Sequence, residues 1–516
     1  MTGGVMMADG LSRRTMLQGL AASALATGSM SASAASASAT PSKPPPTDWA
    51  AFDRAVQLGF DRMRLVGTAV AVVSADRVLH TVTLGSRSLS PRRPVTEHTR
   101  FLVASVTKSM SAGLVATYVD QGVLGWDQPA VDVWSGFRAP TAELTRTLRV
   151  RDLLGMGTGI GAPPAIDFHQ GEPTAAQHLK AVQTFDVIDR PGTTFFYNNT
   201  VYAVGSYLPL LATGVAPADL PAAYAEAMRD RVFRPAGMTE SRIASDPRGL
   251  VDDYATGYGF DLRPRAAPLA YPPVGGVAPV GGVLTTMTDL ASWARLQLRQ
   301  GLSVTGNRVV SAANLAQCWV PGVELPVAGA SGPDVVRWNY ALGWFREELK
   351  DGSVVIHHGG NLDGFSCFVA FLPQQDLGLV VMNNMDSSVF ANPYLLDVLV
   401  NQTLQLNLGQ PAKALAYVDS YLERLAALGK QGTPLDRQAL TPYLGHYEAA
   451  YELVLEGQQL QLRLGPRVMP LVPMPDGSYV IGHGPSVTTP VKLAKEADGT
   501  PHIELMGLET VRRTTG

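Results

Sequence analysis

Three short clusters in this 516-residue sequence hold residue types that can do chemistry together. The first is Phe101-Leu102-Val103-Ala104-Ser105-Val106-Thr107-Lys108-Ser109, in which Ser105 and Lys108 stand three apart. At the start of a helix that spacing puts both side chains on one face. The helix end also offers unpaired N–H groups and the positive end of its dipole to an anionic centre. A serine hydroxyl is a weak nucleophile until a base takes its proton, and a neighbouring lysine amine can be that base. Taken alone, the pair reads equally as an N-cap serine followed by a solvated lysine. The second cluster is Tyr197-Asn198-Asn199, after Pro191-Gly192-Thr193. A tyrosine beside a lysine can shuttle a proton, and Asn199 can donate to a substrate carbonyl. A turn with an ordinary core tyrosine has the same look. The third is His358-Gly359-Gly360-Asn361-Leu362-Asp363-Gly364-Phe365. Glycine at the end of a buried strand lets a ligand approach the backbone closely. His358 suits either a substrate carboxylate or a bond to Tyr197, and the Asn361 N–H can pair with that of Ser105 as an oxyanion hole. The plainer reading is a glycine-rich corner with an exposed histidine.

Elements must bring these clusters together. Asp53 to Leu65 has a helical period, and Ser105 to Gln121 predicts a strong amphipathic helix ended by Gly122. Met287 to Gln297 predicts another, with Thr288 as its N-cap. Val66 to Val73 and Val78 to Leu84 predict a hairpin through Ser74-Ala75-Asp76. Val354 to His357, Cys367 to Leu372 and Leu377 to Met382 are short apolar strands, and Arg151 to Tyr197 is rich in loop residues. Strands at both ends with helices between them imply one sheet built from distant segments, with a helical lobe inserted. Ala412 to Leu428 predicts a helix carrying Leu415, Val418, Leu422 and Leu425 on one face. Six short strands with turn residues between them then run from Tyr451 to Leu505, suggesting a small all-β barrel or sandwich. The expected division is 1–39, 40–47 (a Pro-rich linker), 48–408 (the main domain), 409–435 (helix and linker) and 436–516 (the β module).

The first stretch has the composition of an export signal. Arg13-Arg14 precede a mildly apolar run from Gly19 to Ala26, followed by small-residue sites such as Ala35-Ser36-Ala37. It resembles a twin-arginine signal, with Met16 where that pattern usually has Phe. The apolar run breaks too early for a membrane span, so the mature chain is expected to begin near Ala39, outside the cytoplasm, with no integral span.

Composition narrows the rest. The chain is 16% charged with a net charge of −3, so it has no basic face for nucleic acid. Two cysteines cannot build a disulfide framework, and the nine histidines have no metal-ligand spacing, so neither metal nor cofactor is implied. Cys367 reads as a small buried hydrophobe, and Trp126, Trp134 and Trp344 as core or pocket wall. His357 and His358, adjacent on a strand, should face opposite ways.

In this order, S-x-x-K, Y-x-N and H-x-G resemble the three motifs of the serine β-lactamase-related family. Class C β-lactamases, penicillin-binding proteins, D-aminopeptidases and related esterases belong to that family. Thr147 to Leu154, Val232 to Met238, Gly281 to Leu290 and Tyr340 to Trp344 also look like its landmarks, so the similarity spans about Trp49 to Gln402. The resemblance implies a β-lactamase-like α/β (α+β) fold: an antiparallel sheet flanked by helices, with an inserted helical lobe and a small C-terminal all-β domain. It implies Ser105 as the acylated nucleophile, Lys108 as its base and Tyr197 as proton carrier to the leaving group. Asn199, His358, Gly360 and Asn361 would then bind substrate. Many β-lactamases carry K-T-G where this chain has His358-Gly359-Gly360, which argues against lactam hydrolysis as such. His357-His358-Gly359 also satisfies H-x-G, but the distance to Gly364-Phe365 favours His358. The expected substrate is a small molecule or peptide with an amide, peptide or ester bond. A D-amino-acid peptidase or carboxypeptidase and a carboxylesterase are the rival enzymes, and the further alternative is a catalytically idle penicillin- or peptidoglycan-binding protein.

Overall fold

A computed structural model describes residues 48–162, 172–327, 332–386, 391–409, 411–465, 467–484, 487–505 and 509–514. The expected export signal and Pro-rich linker, residues 1–47, lie outside the described residues. The centre is a nine-stranded antiparallel sheet. Its strands are β1 (Gly67–Val73), β2 (Val78–Leu89), β3 (Arg92–Pro94), β4 (Glu324–Leu325), β5 (Val335–Tyr340), β6 (Phe345–Leu349), β7 (Val354–Leu362), β8 (Phe365–Leu372) and β9 (Leu377–Asn383). The order across the sheet is β3-β2-β1-β9-β8-β7-β6-β5-β4, so the first hairpin of the chain pairs with the last strand. This is the sheet of distant segments that the pattern predicts.

Alternation along β1, β8 and β9 sorts their side chains onto two covered faces. Ala69, Ala71, Cys367, Val369, Phe371, Val380 and Met382 join the core under the inserted lobe. Val70, Val72, Phe368, Ala370, Leu379 and Val381 join a second core. That second core is shared with helix α1 (Trp49–Arg62), with the helix Ala391–Leu404 and with a later helix, Pro411–Gly429. Because both faces are covered, these strands read as continuous apolar runs rather than alternating ones.

The lobe lies between β3 and β4. Its axis is helix α2 (Thr107–Asp120), preceded by one 3-10 turn, Ala104–Val106. The expected amphipathic face is absent: every residue from Thr107 to Tyr118 is buried, so α2 is a central helix packed on all sides. Helix α3 (Asn199–Ala212) is likewise almost wholly buried. Helix α4 (Met287–Leu298) packs α2 towards the sheet, and a Cβ at Gly113 would stand 2.7 Å from the Trp293 ring. The N-cap of α4 is Thr286, whose hydroxyl accepts the Asp289 N–H at 3.2 Å, rather than Thr288. Threonine at either position suits the signal, and the strand Val283–Thr285 running directly into the helix decides between them.

Helix α5 (Pro411–Gly429) buries Leu415, Val418, Leu422 and Leu425 in the second core, beside α1 and the helix Ala391–Leu404. The C-terminal sheet follows as one antiparallel meander in chain order: β10 (Gly445–His446), β11 (Tyr451–Glu456), β12 (Gln459–Leu464), β13 (Arg467–Pro473), β14 (Tyr479–Ile481), β15 (Pro490–Lys495), β16 (Pro501–Leu505) and β17 (Glu509–Arg512). A bridge between Tyr447 and Arg513 links its two ends, so it curls round its own core rather than forming a sandwich. It docks on the main domain through Leu262 N–H to Gly482 O and Gly484 N–H to Phe260 O, both 3.2 Å.

Candidate active site

Ser105 sits in the 3-10 turn that leads into α2. That turn is pinned by its neighbours. Phe101–Leu102 pairs with the strand Val283–Thr285, and the Val103 N–H donates to Val283 O at 3.0 Å. Ala104, just before the serine, has φ of +49°, a left-handed conformation that costs a non-glycine residue about 1 kcal/mol or more. The fully buried surroundings hold it there and leave Ser105 partly exposed at the turn.

Lys108, one turn on, has no solvent exposure. Its Nζ lies 3.0 Å from Ser105 Oγ, 2.8 Å from Asn199 Oδ1 and 3.2 Å from the Val280 carbonyl. It also stands over the Tyr197 ring, 4.7 Å from the centroid. The first and second sequence clusters, 92 residues apart from Ser105 to Tyr197, therefore meet at this one amine. Asn199 opens α3, and its neighbour Asn198 caps that helix by accepting the Val201 N–H at 2.9 Å. The sequence reading gives Asn199 to the substrate; the structure turns its carbonyl oxygen to Lys108 and leaves the residue 8% exposed.

The third cluster arrives on β7, which runs through it rather than ending at His357. β7 and β8 stay paired as far as Leu362 and Phe365, and that ladder carries the glycines as strand residues. Gly360 lies directly against the serine turn: a Cβ there would stand 2.0 Å from Val103 O and 2.9 Å from Ser105 N. Only glycine permits that approach. Asn361 is exposed beside it, its side-chain oxygen accepting from Ser366 Oγ at 2.7 Å.

His358 and His357 face opposite ways, as adjacent strand residues must. His357 stacks on Phe345 and lies 3.4 Å from the buried Glu347 on the back of the sheet. His358 is on the Lys108 side but fully buried. Its Nε2 is 3.0 Å from the Tyr340 hydroxyl, and its Nδ1 is 2.6 Å from the Gly359 carbonyl. A carbonyl can only accept, so Nδ1 carries the proton and Nε2 accepts from Tyr340. Burial pushes the imidazole down to about 3, and a charge on Lys108 acts the same way. His358 is thus neutral, bonded to Tyr340 rather than Tyr197, and too enclosed to hold a substrate carboxylate.

Several contributors have no mark in the three clusters. Tyr340 lies in one of the landmarks of the sequence, and its hydroxyl meets His358 Nε2 at 3.0 Å. Tyr202 donates to the Lys108 carbonyl at 2.7 Å, and a Cβ at Gly343 would come within 2.4 Å of its hydroxyl. The Val280 carbonyl is backbone, which no side-chain pattern can signal. Cys318 and Cys367 are buried with thiols pushed up to about 12, and Trp344 is a core residue against Phe371. Among the described residues no group of three or more His, Cys, Asp or Glu is placed to hold a metal, and no helix is long and apolar enough to cross a membrane.

Comparison with known proteins agrees with this arrangement. The sequence model of the family described as Beta-lactamase matches residues 52–401. A penicillin-binding protein 4 of Amycolatopsis lactamdurans is 31% identical over 57% of this chain and 74% of its own length. An unguisins hydrolase of Aspergillus campestris is 25% identical over 69% of this chain and 65% of its own length. A D-aminopeptidase of Cereibacter sphaeroides is 26% identical over 67% of this chain and 61% of its own length. In fold, the octameric penicillin-binding protein homologue from Pyrococcus abyssi matches 90% of this chain and all of its own, with a TM-score of 0.58 at 18% identity. With three motifs gathered round one serine on a sheet of this order, and a family match across most of its length, the chain belongs to the beta-lactamase family.

Proposed function

We propose that the protein is a serine hydrolase that cleaves an amide, peptide or ester bond through an acyl-enzyme on Ser105. The observation that carries this reading is the Lys108 amine, buried and 3.0 Å from Ser105 Oγ. Two of its other neighbours, Asn199 Oδ1 and the Val280 carbonyl, can only accept. A neutral amine has two N–H bonds and one lone pair. In its neutral form the amine can turn that lone pair to the serine hydroxyl at 3.0 Å and take its proton.

Oγ then bonds to the substrate carbonyl carbon while the carbonyl π pair moves onto oxygen. The resulting oxyanion lies where the Ser105 N–H and the β7 backbone at Gly360–Asn361 converge. Collapse expels the leaving group, which takes a proton relayed from Lys108 by Tyr197. Water repeats the sequence on the acyl-enzyme, releasing the acid and restoring Ser105. No step needs a charge on His358. Its neutrality removes the cation that a K-T-G lysine would supply, which favours carbonyl substrates recognised without a carboxylate at that point.

The test is hydrolysis of p-nitrophenyl acetate by the purified protein. Ser105→Ala is expected to lower kcat by about 1,000-fold or more, and unchanged turnover would put the nucleophile elsewhere.

A further inference from the structure

We propose that Ser111, held by Tyr224, is a positioning residue for Lys108: it fixes the turn that presents the Val280 carbonyl to the amine and so keeps the amine on Ser105. This rests on the serine-hydrolase reading and extends it to a residue that does not touch the serine. The Val280 carbonyl accepts from Lys108 Nζ at 3.2 Å, so whatever sets that carbonyl sets one of the amine's oxygen contacts. Val280 belongs to a one-turn helix, Ala278–Gly281. The last carbonyls of a helix have no partner within it. Ala278 O takes the Gly282 N–H at 2.9 Å, while the Pro279 and Val280 carbonyls turn to α2.

Lys108 and Ser111 stand three apart on α2 and share one face. Ser111 Oγ donates to Pro279 O at 2.6 Å, one residue before the carbonyl that Lys108 uses. On the other side of Val280, the Thr107 hydroxyl accepts the Val283 N–H at 3.2 Å. Two side chains of α2 therefore hold the turn from both ends, and Lys108 bonds between them. Ser111 Oγ also lies 3.1 Å from the Thr107 carbonyl. Both carbonyls can only accept, so they take the single Ser111 proton, and the Tyr224 hydroxyl, 2.7 Å away, donates to Ser111. Burial pushes the Tyr224 phenol up, which keeps that donor protonated. Tyr224 comes from the helix Leu220–Ala227, and its ring lies 6.0 Å from that of Tyr207, whose hydroxyl donates to Gly276 O just before the turn.

Thr107, Ser111 and Tyr224 have no solvent exposure. At about 1.5 Å of rise per residue, Ser111 stands about 9 Å along the axis from Ser105, out of reach of the reacting carbonyl. Its effect on the reaction therefore passes through Lys108. Without the Ser111 hydroxyl the turn loses its hold at Pro279, the Val280 carbonyl shifts, and the amine follows it away from Ser105 Oγ.

The experiment is a double-mutant cycle on the full-length protein, reading the rate at which a fluorophosphonate labels Ser105 together with the hydrolysis of p-nitrophenyl acetate. Ser111→Ala is expected to slow labelling and to lower kcat about tenfold, with KM within about twofold. In a Lys108→Ala background the same change is expected to slow labelling by less than about twofold, because the group it positions is gone. Circular dichroism checks that each variant folds. If Ser111→Ala does not, Tyr224→Phe takes its place, with a loss of about threefold expected when Lys108 is present and none when it is absent. Equal losses in both backgrounds would make the contact a structural one, and an unchanged rate in the folded single variant would mean that Lys108 is held without it. Either result overturns this proposal alone. Absence of any Ser105-dependent labelling or hydrolysis overturns the hydrolase reading and this proposal with it.

Discussion

Lys108 and His358 are both buried in one site, and they are handled in opposite ways. Lys108 is held by oxygen partners on three sides, Asn199 Oδ1, the Val280 carbonyl and Ser105 Oγ. His358 is clamped between a hydroxyl and a carbonyl, which fixes a single neutral tautomer and ties the ring to the Gly359 carbonyl next to Gly360. Its function in this account is positional: it holds the strand against the serine turn. Tyr340 is the outer half of that clamp, itself fully buried among Phe195, Tyr197 and Phe345. Tyr340→Phe removes the donor and leaves Nε2 buried without it. Stability should fall by about 1–3 kcal/mol. Turnover should fall about tenfold in kcat with KM little changed, because orientation rather than binding is lost. Urea unfolding together with steady-state kinetics checks both. A change in KM alone would mean that Tyr340 contacts substrate instead.

Elements carry the accuracy that single residues cannot. The serine turn is held by the strand Val283–Thr285 on one side and by β7 on the other, and Gly360 is where β7 nearly touches the turn. Gly360→Ala should push β7 away from Val103 and Ser105. A displacement of that size costs about 100-fold in activity even when the fold survives, so the variant should keep its far-ultraviolet circular dichroism and lose most esterase activity. Retained activity would place the oxyanion site elsewhere. Much of this was legible in the sequence. Strands β1, β2, β7, β8 and β9 and helices α1, α2, α4 and α5 lie within a few residues of their patterns, and so do six strands of the C-terminal sheet, whereas β3 to β6 of the main sheet were not expected. What was not legible has physical causes. The His358-Gly359-Gly360 stretch reads as a corner because glycine is a poor strand former, yet pairing with β8 keeps it extended. Helix α2 reads as amphipathic because its serines and threonines look like a polar face. They are buried, with Ser109 and Ser111 donating to the Val106 and Thr107 carbonyls. The helix Ala175–Ala181 escapes notice amid loop residues, and its capping box, Thr174 with Gln177, is the signal that marks it. The end strands β10 and β17 are too short to show a period.

At the scale of the whole molecule, the two cores and the docked β module make stability depend on acidity in a predictable direction. Burial holds His178 down to about 4 and His358 down to about 3. Both are neutral in the fold and become protonated on unfolding below their ordinary value of about 6.5. Their contribution is complete above that value and is lost as pH falls towards 4. Each takes up one proton on unfolding in this window, so each adds a slope of about 1.4 kcal/mol per pH unit. Urea unfolding between pH 4.5 and 6.5 should show that steepness, and His178→Asn should reduce it by about one such increment. An unchanged slope would mean that His178 is not buried in neutral form. The arrangement of sheet, lobe and β module has its chemical point at one atom, Ser105 Oγ, with the Lys108 amine 3.0 Å away. The most direct test is to treat the full-length protein with a fluorophosphonate and map the adduct by peptide mass spectrometry, alongside Lys108→Ala. The account predicts a single phosphonyl group on Ser105, formed rapidly in the wild type and at least about 100-fold more slowly without the lysine; labelling of another residue, or equal rates in both proteins, would contradict it.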